Sequence, residues 1–595
     1  MHRQSGLAFA IFLGIGLAPA VSFAKEIAEQ PEPKKAAPLY ELSRDEMAAA
    51  ARAQLAETGR QHQAYAVGVM PPLSRIFRHG GPALTWTGPI KVSMARAELE
   101  HRELALIPLD GALENVAVST TAFSRLDGQA KLQVSAGPVG FIRTPRRPEP
   151  KPEVDVGDAL LEPQRFNVRS GELQSIYLLV ETTPETPAGL YEGQVTIAPQ
   201  GKTPTTLDVQ VKVWDFELPK QPPLHGWCST LAPDILMKHK IEPGWFSPKI
   251  DLSATITKEQ WQQTEEQIQA WFAAGHSFLM IRTPGAPLNG SVLGAAGNQA
   301  RPDYSPDQIR AMIAYWRGLA QILERLNKLD KAAVYVWDEP HYEKFSEMTE
   351  ICNWVHEAHP RLKTCAAGWW DLRPHRDNGA IDIYCPITFA FEPAVDRSGR
   401  PHGSETWWYV CWVPAAPAPN VMVDNPPLQQ RVMGWQSWRF GVSGFLYWET
   451  HRAMWDKLSK RQPPFTDCGQ MRNGGDGTLI HNVDGGFVPS LRLRHLADGM
   501  EDLQYIQLLD GLLKQVDQQA LDSFTKEWRE VRKAARAALG EVGHVVLENQ
   551  SEFSEAKIEG HTKEPARLLA ARSDLAEAIV QLRKLCRHAN GQDPF

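Results

Sequence analysis

The sequence predicts a multidomain protein with an N-terminal all-β sandwich, a central (β/α)8 TIM-type barrel and a C-terminal helical region. Three observations predict this fold. The 595 residues exceed what one hydrophobic core usually supports, so two or three domains are expected. Short alternating segments separated by Gly/Pro turns fill residues 66–218. From residue 225 strands alternate with helices, and after residue 485 the pattern is helical.

The N-terminus, "MHRQSGLAFAIFLGIGLAPAVSFAKE", has the three parts of a signal peptide. Arg3 supplies a positive charge, Leu7 to Leu17 is apolar, and Ser22-Phe23-Ala24 is an A-x-A-like cleavage site. We therefore expect a signal peptide over residues 1–24 and a periplasmic or secreted protein. The alternative is an uncleaved anchor, because no charge lies between Gln4 and Ala24.

A helical or linker segment is predicted over residues 25–65, with one helix capped by Ser43. The sandwich follows over residues 66–218, with strands such as "QSIYLLVETT" and "TTLDVQVKVWDF". The Pro-rich "ELPKQPPL" marks its end, so the barrel is assigned to 219–485 and the helical region to 486–595.

The barrel prediction depends on eight strand-like segments over roughly 225 residues, most of them separated by helical stretches. Helix patterns such as "KEQWQQTEEQIQAWFAAG" and "PLQQRVMGWQSWRF" lie between them. The second strand is assigned to "KIDLSAT" near residue 249. The segments are "HGWCST", "KIDLSAT", "SFLMIR", "AAVYVWDEP", "KTCAAGWW", "IDIYCPIT", "TWWYVCW" and "GFLYWET".

The composition argues against several classes of function and structure. A formal net charge of −7 with 22% charged residues argues against a nucleic-acid partner. Seven cysteines, an odd number without a C-x-x-C pair, argue against a metal or disulfide framework. No segment beyond the leader is long and apolar enough to span a membrane. Cys365, Cys385 and Cys411 lie in apolar runs and are expected to be small buried side chains.

The strongest chemical signal is the carboxylate pair Asp338 and Glu339 at the end of "KAAVYVWDEP". Active sites of (β/α)8 barrels lie at the carboxyl ends of the strands. The chain bends into a loop there and Pro340 ends the strand, so both carboxylates can reach the barrel mouth. The alternative is a solvated pair in which Asp338 caps the next helix. We predict that the pair is catalytic.

Aromatic residues cluster at the predicted ends of the barrel strands. Trp is unusual in a barrel interior, which prefers branched aliphatic residues. Several aromatic rings at one face are typical of a site for flat, partly apolar ligands such as sugar rings. The candidate substrate-binding residues are Trp337, Trp369, Trp370, Tyr384, Trp407, Trp408, Tyr409, Trp448 and Glu449, and Trp412 lies in the same region.

Paired carboxylates in an aromatic cleft are typical of glycosidases, in which one acid protonates the leaving oxygen and a second group stabilises the anomeric cation. The sequence has no G-x-S-x-G elbow, no H-E-x-x-H and no G-x-G-x-x-G after a strand, and its histidines show no ligand spacing. No cofactor is expected.

The sequence resembles glycoside hydrolase family 123 and its uncharacterised relatives over roughly residues 160–515. The resemblance depends on "VYVWDEP" at 334–340, "ETWWYVCW" at 405–412, "GFLYWET" at 444–450 and "GDGTLI…VPSLRLRHLADGMEDLQYIQLL" at 475–509. It implies a retaining β-N-acetylgalactosaminidase in which the 2-acetamido oxygen of the substrate is the nucleophile. Glu339 would then be the general acid/base, and Asp338 would orient the acetamido group. The partner implied is a glycan or glycoconjugate.

Two other functions stay open. A retaining glycosidase could use Glu339 as acid/base and Glu449 as a protein nucleophile, in which case the two carboxyl groups would lie about 5–5.5 Å apart. A carbohydrate-binding relative without catalytic activity could use the sandwich and the aromatic wall alone.

Overall fold

The structure is a computed structural model that describes residues 40–128, 130–145, 153–282, 303–451, 467–471, 473–483, 486–518, 526–547 and 556–589. The predicted signal peptide lies outside the described residues. Contacts divide the chain into two units, Met1–Glu41 and Leu42–Phe595. In the first unit, Tyr40 and Glu41 are described. The predicted domain boundaries within the second unit stay predictions.

The predicted helix, Arg44–Glu57, follows the two-residue strand Leu42–Ser43 at the start of the second unit. Ser43 caps it through a reciprocal pair with Glu46: the Glu46 carboxylate accepts from Ser43 N at 2.8 Å, and Glu46 N donates to Ser43 Oγ at 3.3 Å. Met47, Ala48, Ala51 and Leu55 form the buried face of the helix. The predicted cap at Ser43 is therefore confirmed.

A sheet-rich region follows, as the alternating sequence predicts. Most of its strands pair antiparallel, and Thr205–Glu217 pairs parallel with Ile90–Arg96. Alternate residues form a core that includes Leu104, Ile176, Leu178 and Val211. The strands are Leu42–Ser43, Tyr65–Val69, Gly80–Gly81, Ile90–Arg96, Leu99–Pro108, Leu113–Thr120, Phe123–Arg125, Lys131–Pro145, Glu153–Leu160, Phe166–Val168, Gln174–Glu181, Gly189–Ala198 and Thr205–Glu217.

The central region is a parallel, barrel-like sheet of seven strands. In order around the sheet the strands are Leu279–Ile281, Ala332–Asp338, Lys363–Gly368, Ile383–Pro386, Glu405–Tyr409, Gly444–Tyr447 and His225–Cys228. Gly226 allows the last two to pair, because a Cβ at this position would lie 1.9 Å from Phe445 O. The helices between them are Pro233–Lys238, Lys258–Ala273, Pro306–Arg325, Phe345–Ala358, Arg373–Asp377, Pro393–Gly399 and Pro427–Phe440.

The second barrel strand differs from the prediction. Residues 249–255 form no strand. Instead Pro243 bridges to Cys228 and Phe246 bridges to Ile281, both in parallel orientation, so this earlier segment lies in the gap between the first and third strands. The sequence pattern misplaced it because two isolated bridges leave no alternating run of residues to recognise.

After the last barrel strand the chain returns to the N-terminal sheet and then becomes helical, as predicted. Asp467–Gln470 pairs parallel with Lys131–Pro145. A hairpin, Ile480–Val483 with Gly486–Pro489, precedes three helices. These helices are Leu491–Gln518, Lys526–Val546 and Pro565–Ala589. None of the described helices has the length and apolar character needed to cross a membrane.

The motif "LRLRHLADGMEDLQY" lies at the start of the helix Leu491–Gln518, where it joins the sheet-rich region, the barrel and the last helix. Asp502 is fully buried and accepts hydrogen bonds from Arg431 Nε at 2.7 Å, Trp435 Nε1 at 2.8 Å and Arg572 Nε at 2.8 Å. Arg431 and Trp435 belong to the barrel helix Pro427–Phe440, and Arg572 belongs to the last helix. Glu501 of the same motif accepts from Leu99 N of the sheet-rich region at 3.2 Å, so the motif stabilises the assembly of the three regions.

Two glycines let the helices Pro427–Phe440 and Leu491–Gln518 touch along their backbones. A Cβ at Gly434 would lie 1.9 Å from Gly499 O, and a Cβ at Gly499 would lie 2.2 Å from Arg431 O. Because any side chain at either position would push the helices apart, the Arg431–Asp502 pair depends on this close crossing.

Candidate active site

The strand Ala332–Asp338 places Asp338 at the barrel mouth through a β-bulge. The strand pairs with Lys363–Gly368 in regular register up to Tyr335, and the register then shifts before Trp337. Tyr335 belongs to the cluster inside the barrel, whereas Val336 and Trp337 both belong to the cluster beneath the helices. The bulge thus reverses the inside–outside alternation, so that Asp338 and not Trp337 shares the inner face with Tyr335.

Asp338 is held by a hydrogen bond from Tyr335 Oη to Oδ1 at 2.8 Å. Burial and, to a smaller extent, the neighbouring Glu339 carboxylate raise the pKa of Asp338 to about 7, although the bond from Tyr335 acts in the opposite direction. Asp338 therefore changes charge near neutral pH, where an ordinary surface aspartate is already ionised.

Glu339 begins the loop after the strand in a strained conformation. Its φ is 51°, in the left-handed region that residues with a Cβ avoid. Its backbone N–H donates to Ala367 O at 2.9 Å, which anchors it to the neighbouring strand. The left-handed turn follows directly after the inward-facing Asp338. In a regular strand the side chain of Glu339 would point to the face opposite Asp338. The left-handed turn removes Glu339 from this alternation, so its side chain takes a different direction.

One oxygen of Glu339 accepts two hydrogen bonds. Trp369 Nε1 and Tyr409 Oη each donate to Oε1 at 2.6 Å. An indole N–H is a donor only, so Oε1 must act as an acceptor. Burial, together with the Glu339 charge, raises the pKa of Tyr409 well above its usual value, which keeps this phenol protonated. When Glu339 carries a proton, that proton is therefore on Oε2, for which the described residues supply no partner.

Aromatic rings surround this pair inside and above the barrel. The Trp227 and Trp245 ring centroids lie 3.9 Å apart, and the Tyr335 ring meets them at 5.5 and 5.3 Å. On the other side the Trp369 ring packs against Trp412 at 5.9 Å. The sequence analysis missed Trp227 and Trp245. Their signal was their position, since Trp227 lies in the first barrel strand and Trp245 lies between the two bridged residues Pro243 and Phe246.

The structure brings some of the predicted residues to the site and leaves others in the core. Trp369 and Tyr409 contact Glu339, and Trp370 is 38% exposed in the loop beyond. Tyr384 and Trp408 are buried beneath the barrel helices with Trp337, because alternate residues of a strand face outward. None of these three offers a surface to a ligand.

Trp407 lies inside the barrel near its amino-terminal end. Its Nε1 donates to Glu405 Oε2 at 3.0 Å. Gly444 on the next strand makes room for it, since a Cβ there would lie 2.2 Å from the Trp407 ring. The expectation that Trp is unsuited to the barrel interior was therefore wrong here, because a glycine on the neighbouring strand provides the volume.

Trp448 and Glu449 follow the last barrel strand. Trp448 Nε1 donates to Asp476 Oδ1 at 3.1 Å. Glu449 Oε1 accepts from the backbone N–H groups of Thr450 at 2.7 Å and His451 at 3.0 Å, and it lies 2.6 Å from His451 Nδ1. Within the described part of the chain, all contacts of the Glu449 carboxylate are to its own loop.

A buried histidine pair lies away from the barrel mouth. His101, His495 and Asp498 have ligand-capable atoms within 4.8 Å of one another. Arg494 Nε donates to Asp498 Oδ1 at 2.8 Å, and Arg431 Nη1 lies 3.5 Å from Oδ2. Because these two guanidinium groups already compensate the carboxylate, we assign the cluster to the ionic network around the motif and not to a cation site.

Comparisons with known proteins concern the family and the fold. Residues 301–509 match the model of the glycoside hydrolase 123 catalytic domain. No curated protein sequence matches the chain. A family 123 glycoside hydrolase from Clostridium perfringens, studied for glycolipid glycan hydrolysis, has a TM-score of 0.58 at 10% identity, over 89% of this chain and 100% of that one. At this identity the likeness shows the fold alone. A family 39 glycoside hydrolase from Bacteroides cellulosilyticus WH2 has a TM-score of 0.31 at 12% identity, over 70% and 82%.

Proposed function

We propose that this chain, a glycoside hydrolase of family 123 through its catalytic domain over residues 301–509, is an exported, retaining β-N-acetylhexosaminidase of the galactosamine type that uses substrate-assisted catalysis. The substrate would be a glycan or glycoconjugate. The architecture proposed with it is a complete (β/α)8 barrel, with residues 243–246 as the second strand, behind an all-β sandwich.

One observation carries the proposal: the two adjacent carboxyl groups are held in different ways. Glu339 Oε1 is occupied by two donors, so its proton is confined to Oε2, as a general acid requires. Asp338 faces the barrel interior with Oδ1 bound by Tyr335, and Oδ2, which accepts no hydrogen bond from the described residues, would meet the substrate. Two neighbouring carboxyl groups in different environments can divide acid and electrostatic roles between them.

In the first step the acetamido carbonyl oxygen of the substrate forms a bond to the anomeric carbon while the glycosidic C–O bond breaks. The departing oxygen takes the proton from Glu339 Oε2. The ionised Asp338 accepts a hydrogen bond from the acetamido N–H and stabilises the positive charge of the cyclic intermediate. Because the substrate supplies the nucleophile, no second enzyme carboxylate is needed across the barrel.

In the second step Glu339 takes a proton from water, and the water oxygen attacks the anomeric carbon. The bond from the acetamido oxygen breaks, which regenerates the acetamido group. Two inversions at the anomeric carbon give net retention. Trp369 and Tyr409 keep donating to Oε1 in both steps, so they stabilise the carboxylate whenever Glu339 is ionised.

The alternative mechanism, with Glu449 as a covalent nucleophile, is less well supported. Its Oε1 accepts hydrogen bonds from two backbone N–H groups of its own loop and lies beside the His451 ring. The non-catalytic alternative is disfavoured by the two donors on Glu339 Oε1, because sugar binding alone does not require the proton to be confined to one oxygen.

A substrate panel tests the proposal. Wild type, Glu339→Gln, Asp338→Asn and Glu449→Gln are assayed on aryl glycosides with and without the 2-acetamido group. Glu339→Gln should lower kcat/KM by about 10²–10⁴-fold for poor leaving groups, and far less for activated ones. Asp338→Asn should lower it for every leaving group, because it acts on the attack itself. Equal turnover of the plain hexoside, or a trapped glycosyl ester on Glu449, would contradict the mechanism.

The proposed export through a cleaved signal peptide is tested separately. The protein is expressed in a bacterial host, and the exported fraction is analysed by N-terminal mass spectrometry. We expect a mature chain that begins near Lys25. Exported protein that retains Met1 would show that the leader is an uncleaved anchor.

A further inference from the structure

A cavity with basic side chains lies at the end of the barrel opposite Asp338 and Glu339. It lies beside the amino-terminal ends of the parallel strands His225–Cys228, Leu279–Ile281 and Ala332–Asp338. Its volume is about 290 Å³, close to the lower limit of about 300 Å³ for small-molecule sites. None of its lining residues is acidic. We call it the basal cavity, and it is lined by residues 221–223, His225, Phe272, His276, Ser277, Lys328 and Lys331.

The imidazole of His276 is held firmly at the wall of the basal cavity, and its side chain is 10% exposed. Its Nδ1 donates to Glu242 Oε1 at 2.5 Å, and the Trp271 ring stacks on it with centroids 3.7 Å apart. Glu242 Oε2 also accepts from the backbone N–H and the hydroxyl group of Ser277, at 2.7 Å each. In the protonated imidazole both nitrogens are donors. His276 Nε2, which has no hydrogen-bond partner among the described residues, can therefore donate to a ligand while Nδ1 stays on Glu242.

Lys328 and Lys331 add two positive charges to the basal cavity. Neither ammonium group forms a hydrogen bond or an ion pair with the residues that the structure describes. Lys328 Nζ lies 5.1 Å from the centroid of the Phe272 ring. The carboxylate of Asp330, which lies between the two lysines in the sequence, has another partner, since its Oδ1 is 3.3 Å from Arg361 Nη2. The positive charge of the two lysines is therefore available to a ligand.

These groups match the chemistry of an oxyanion. A cleft that is lined by charges of one sign concentrates ions of the opposite sign. Ammonium groups and a protonated imidazole donate charge-assisted hydrogen bonds to the oxygens of phosphate and sulfate. The Phe272 ring, Pro222 and Pro223 add an apolar wall beside the charges. The cavity can thus accept the anion alone or a small sugar that carries it.

We propose that the basal cavity binds an oxyanion, phosphate or sulfate, through Lys328, Lys331 and His276 Nε2. The anion is either free or the monoester of a sugar, since both present the same charged group. This binding does not depend on the proposed hydrolysis. Lys331 directly precedes the strand Ala332–Asp338 and His276 precedes the strand Leu279–Ile281, so the bound anion joins the two strands at the end opposite the active site. A ligand that binds only the folded chain stabilises it.

Calorimetric titration of the full chain with inorganic phosphate and, separately, with sulfate tests the proposal. Sodium chloride keeps the ionic strength constant, because added anions also screen charges over the whole surface. Wild type should bind phosphate at one site. Lys328→Gln and Lys331→Gln should each raise Kd about tenfold, as expected for the loss of a hydrogen bond to a charged group. The double variant should show no measurable binding.

Thermal unfolding gives a second measurement. Phosphate at a saturating concentration should raise the unfolding temperature of wild type and leave that of the double variant unchanged. Without phosphate the two proteins should unfold at nearly the same temperature, because neither lysine forms an ion pair. A rise of equal size in wild type and in the double variant would overturn the proposal.

Lys202→Gln is the matched control. Lys202 is an exposed lysine in the turn between the strands Gly189–Ala198 and Thr205–Glu217, and its removal changes the net charge by the same amount. The Kd for phosphate should stay at the wild-type value. An equal loss of affinity in Lys202→Gln and Lys328→Gln would overturn the proposal, as would a wild type that binds neither phosphate nor sulfate.

Galactose 6-phosphate identifies the source of the anion. If it binds wild type about tenfold more tightly than inorganic phosphate, the ligand is a sugar monoester whose ring contacts the apolar wall. Equal or weaker binding identifies the free anion. In both cases the Lys328→Gln/Lys331→Gln double variant should lose the binding, and full binding by that variant would overturn the proposal.

Discussion

Tyr335 and Asp338 lie three residues apart on one β-strand, and the Tyr335 phenol nevertheless donates a 2.8 Å hydrogen bond to Asp338 Oδ1. Regular alternation would place their side chains on opposite faces of the sheet. The register shift between Tyr335 and Trp337 brings them to the same face. The chemistry at the barrel mouth therefore depends on a single bulged residue, Val336.

The raised pKa of Asp338 predicts the acid limb of the pH profile. Asp338 is neutral below about pH 7 and ionised above it. The proposed mechanism needs the ionised form, so kcat/KM should rise with pH and level off above a midpoint near 7. The measurement uses the β-fluoride of N-acetylgalactosamine, because the departure of fluoride depends little on the Glu339 proton. Asp338→Asn should show no such limb. A wild-type profile that is flat between pH 5 and 8 would exclude this role for Asp338.

Tyr335→Phe should shift this limb to higher pH. The bond from Tyr335 favours the ionised form of Asp338, so its removal leaves burial and the Glu339 charge to raise the pKa further. At pH 6 we expect kcat/KM to fall about fivefold to tenfold, as expected for a hydrogen bond worth about 1 kcal/mol. Near pH 9 the loss should be small. A loss of equal size at both pH values would indicate a structural effect of the variant.

The left-handed backbone of Glu339 predicts an unusual order of stability for two variants. Glu339→Gly and Glu339→Ala both remove the carboxylate, but only glycine accepts a φ of 51° without a steric penalty. We expect the glycine variant to be more stable by about 1 kcal/mol, measured by urea denaturation. Glu350 lies in the helix Phe345–Ala358, and there the order should reverse, with alanine more stable by about 1 kcal/mol. If the glycine and alanine variants had the same order of stability at both positions, the Glu339 backbone would not be strained.

Trp369→Phe tests the position of the catalytic proton. The variant keeps an aromatic ring but removes the N–H that occupies Glu339 Oε1. The proton is then no longer confined to Oε2, so we expect kcat/KM to fall about tenfold for poor leaving groups, a loss on the scale of one hydrogen bond to a charged group. The loss should shrink for the β-fluoride. Equal losses for both substrates would place Trp369 in sugar binding and not in proton positioning.

The buried carboxylate of Asp502 predicts a large and specific loss of stability. Asp502→Asn removes one of the two buried carboxylates that Arg431 and Arg572 share, Glu100 being the other, and we expect a loss of about 3 kcal/mol. Asp517→Asn on the same helix is the matched control. Asp517 pairs with Arg532 and Arg536 at the surface, so its loss should stay below about 1 kcal/mol. Similar unfolding midpoints for the two variants would show that the buried network adds little.

The sequence by itself determined the order of the regions along the chain and the position of the candidate catalytic residues. Alternation with a period of two predicted the N-terminal sheet, and strands that alternate with helices predicted the parallel barrel. The pair Asp338 and Glu339 could be found because carboxylates at the end of an apolar strand are rare and occur where a barrel presents its active site. Each of these signals depends only on residues that are neighbours in the sequence, so it can be read without knowledge of the tertiary structure.

The tertiary structure alone decided which side chains meet. Trp337, Tyr384 and Trp408 face the helices, whereas Trp369 and Tyr409 reach Glu339. Strand ends from distant parts of the sequence converge there, and one bulge at Val336 exchanges the inner and outer faces. A bulge or a left-handed residue is selected by packing around the whole barrel and leaves no periodic pattern. The physical reason is that side-chain direction follows from backbone register, and register is set by the neighbouring strands.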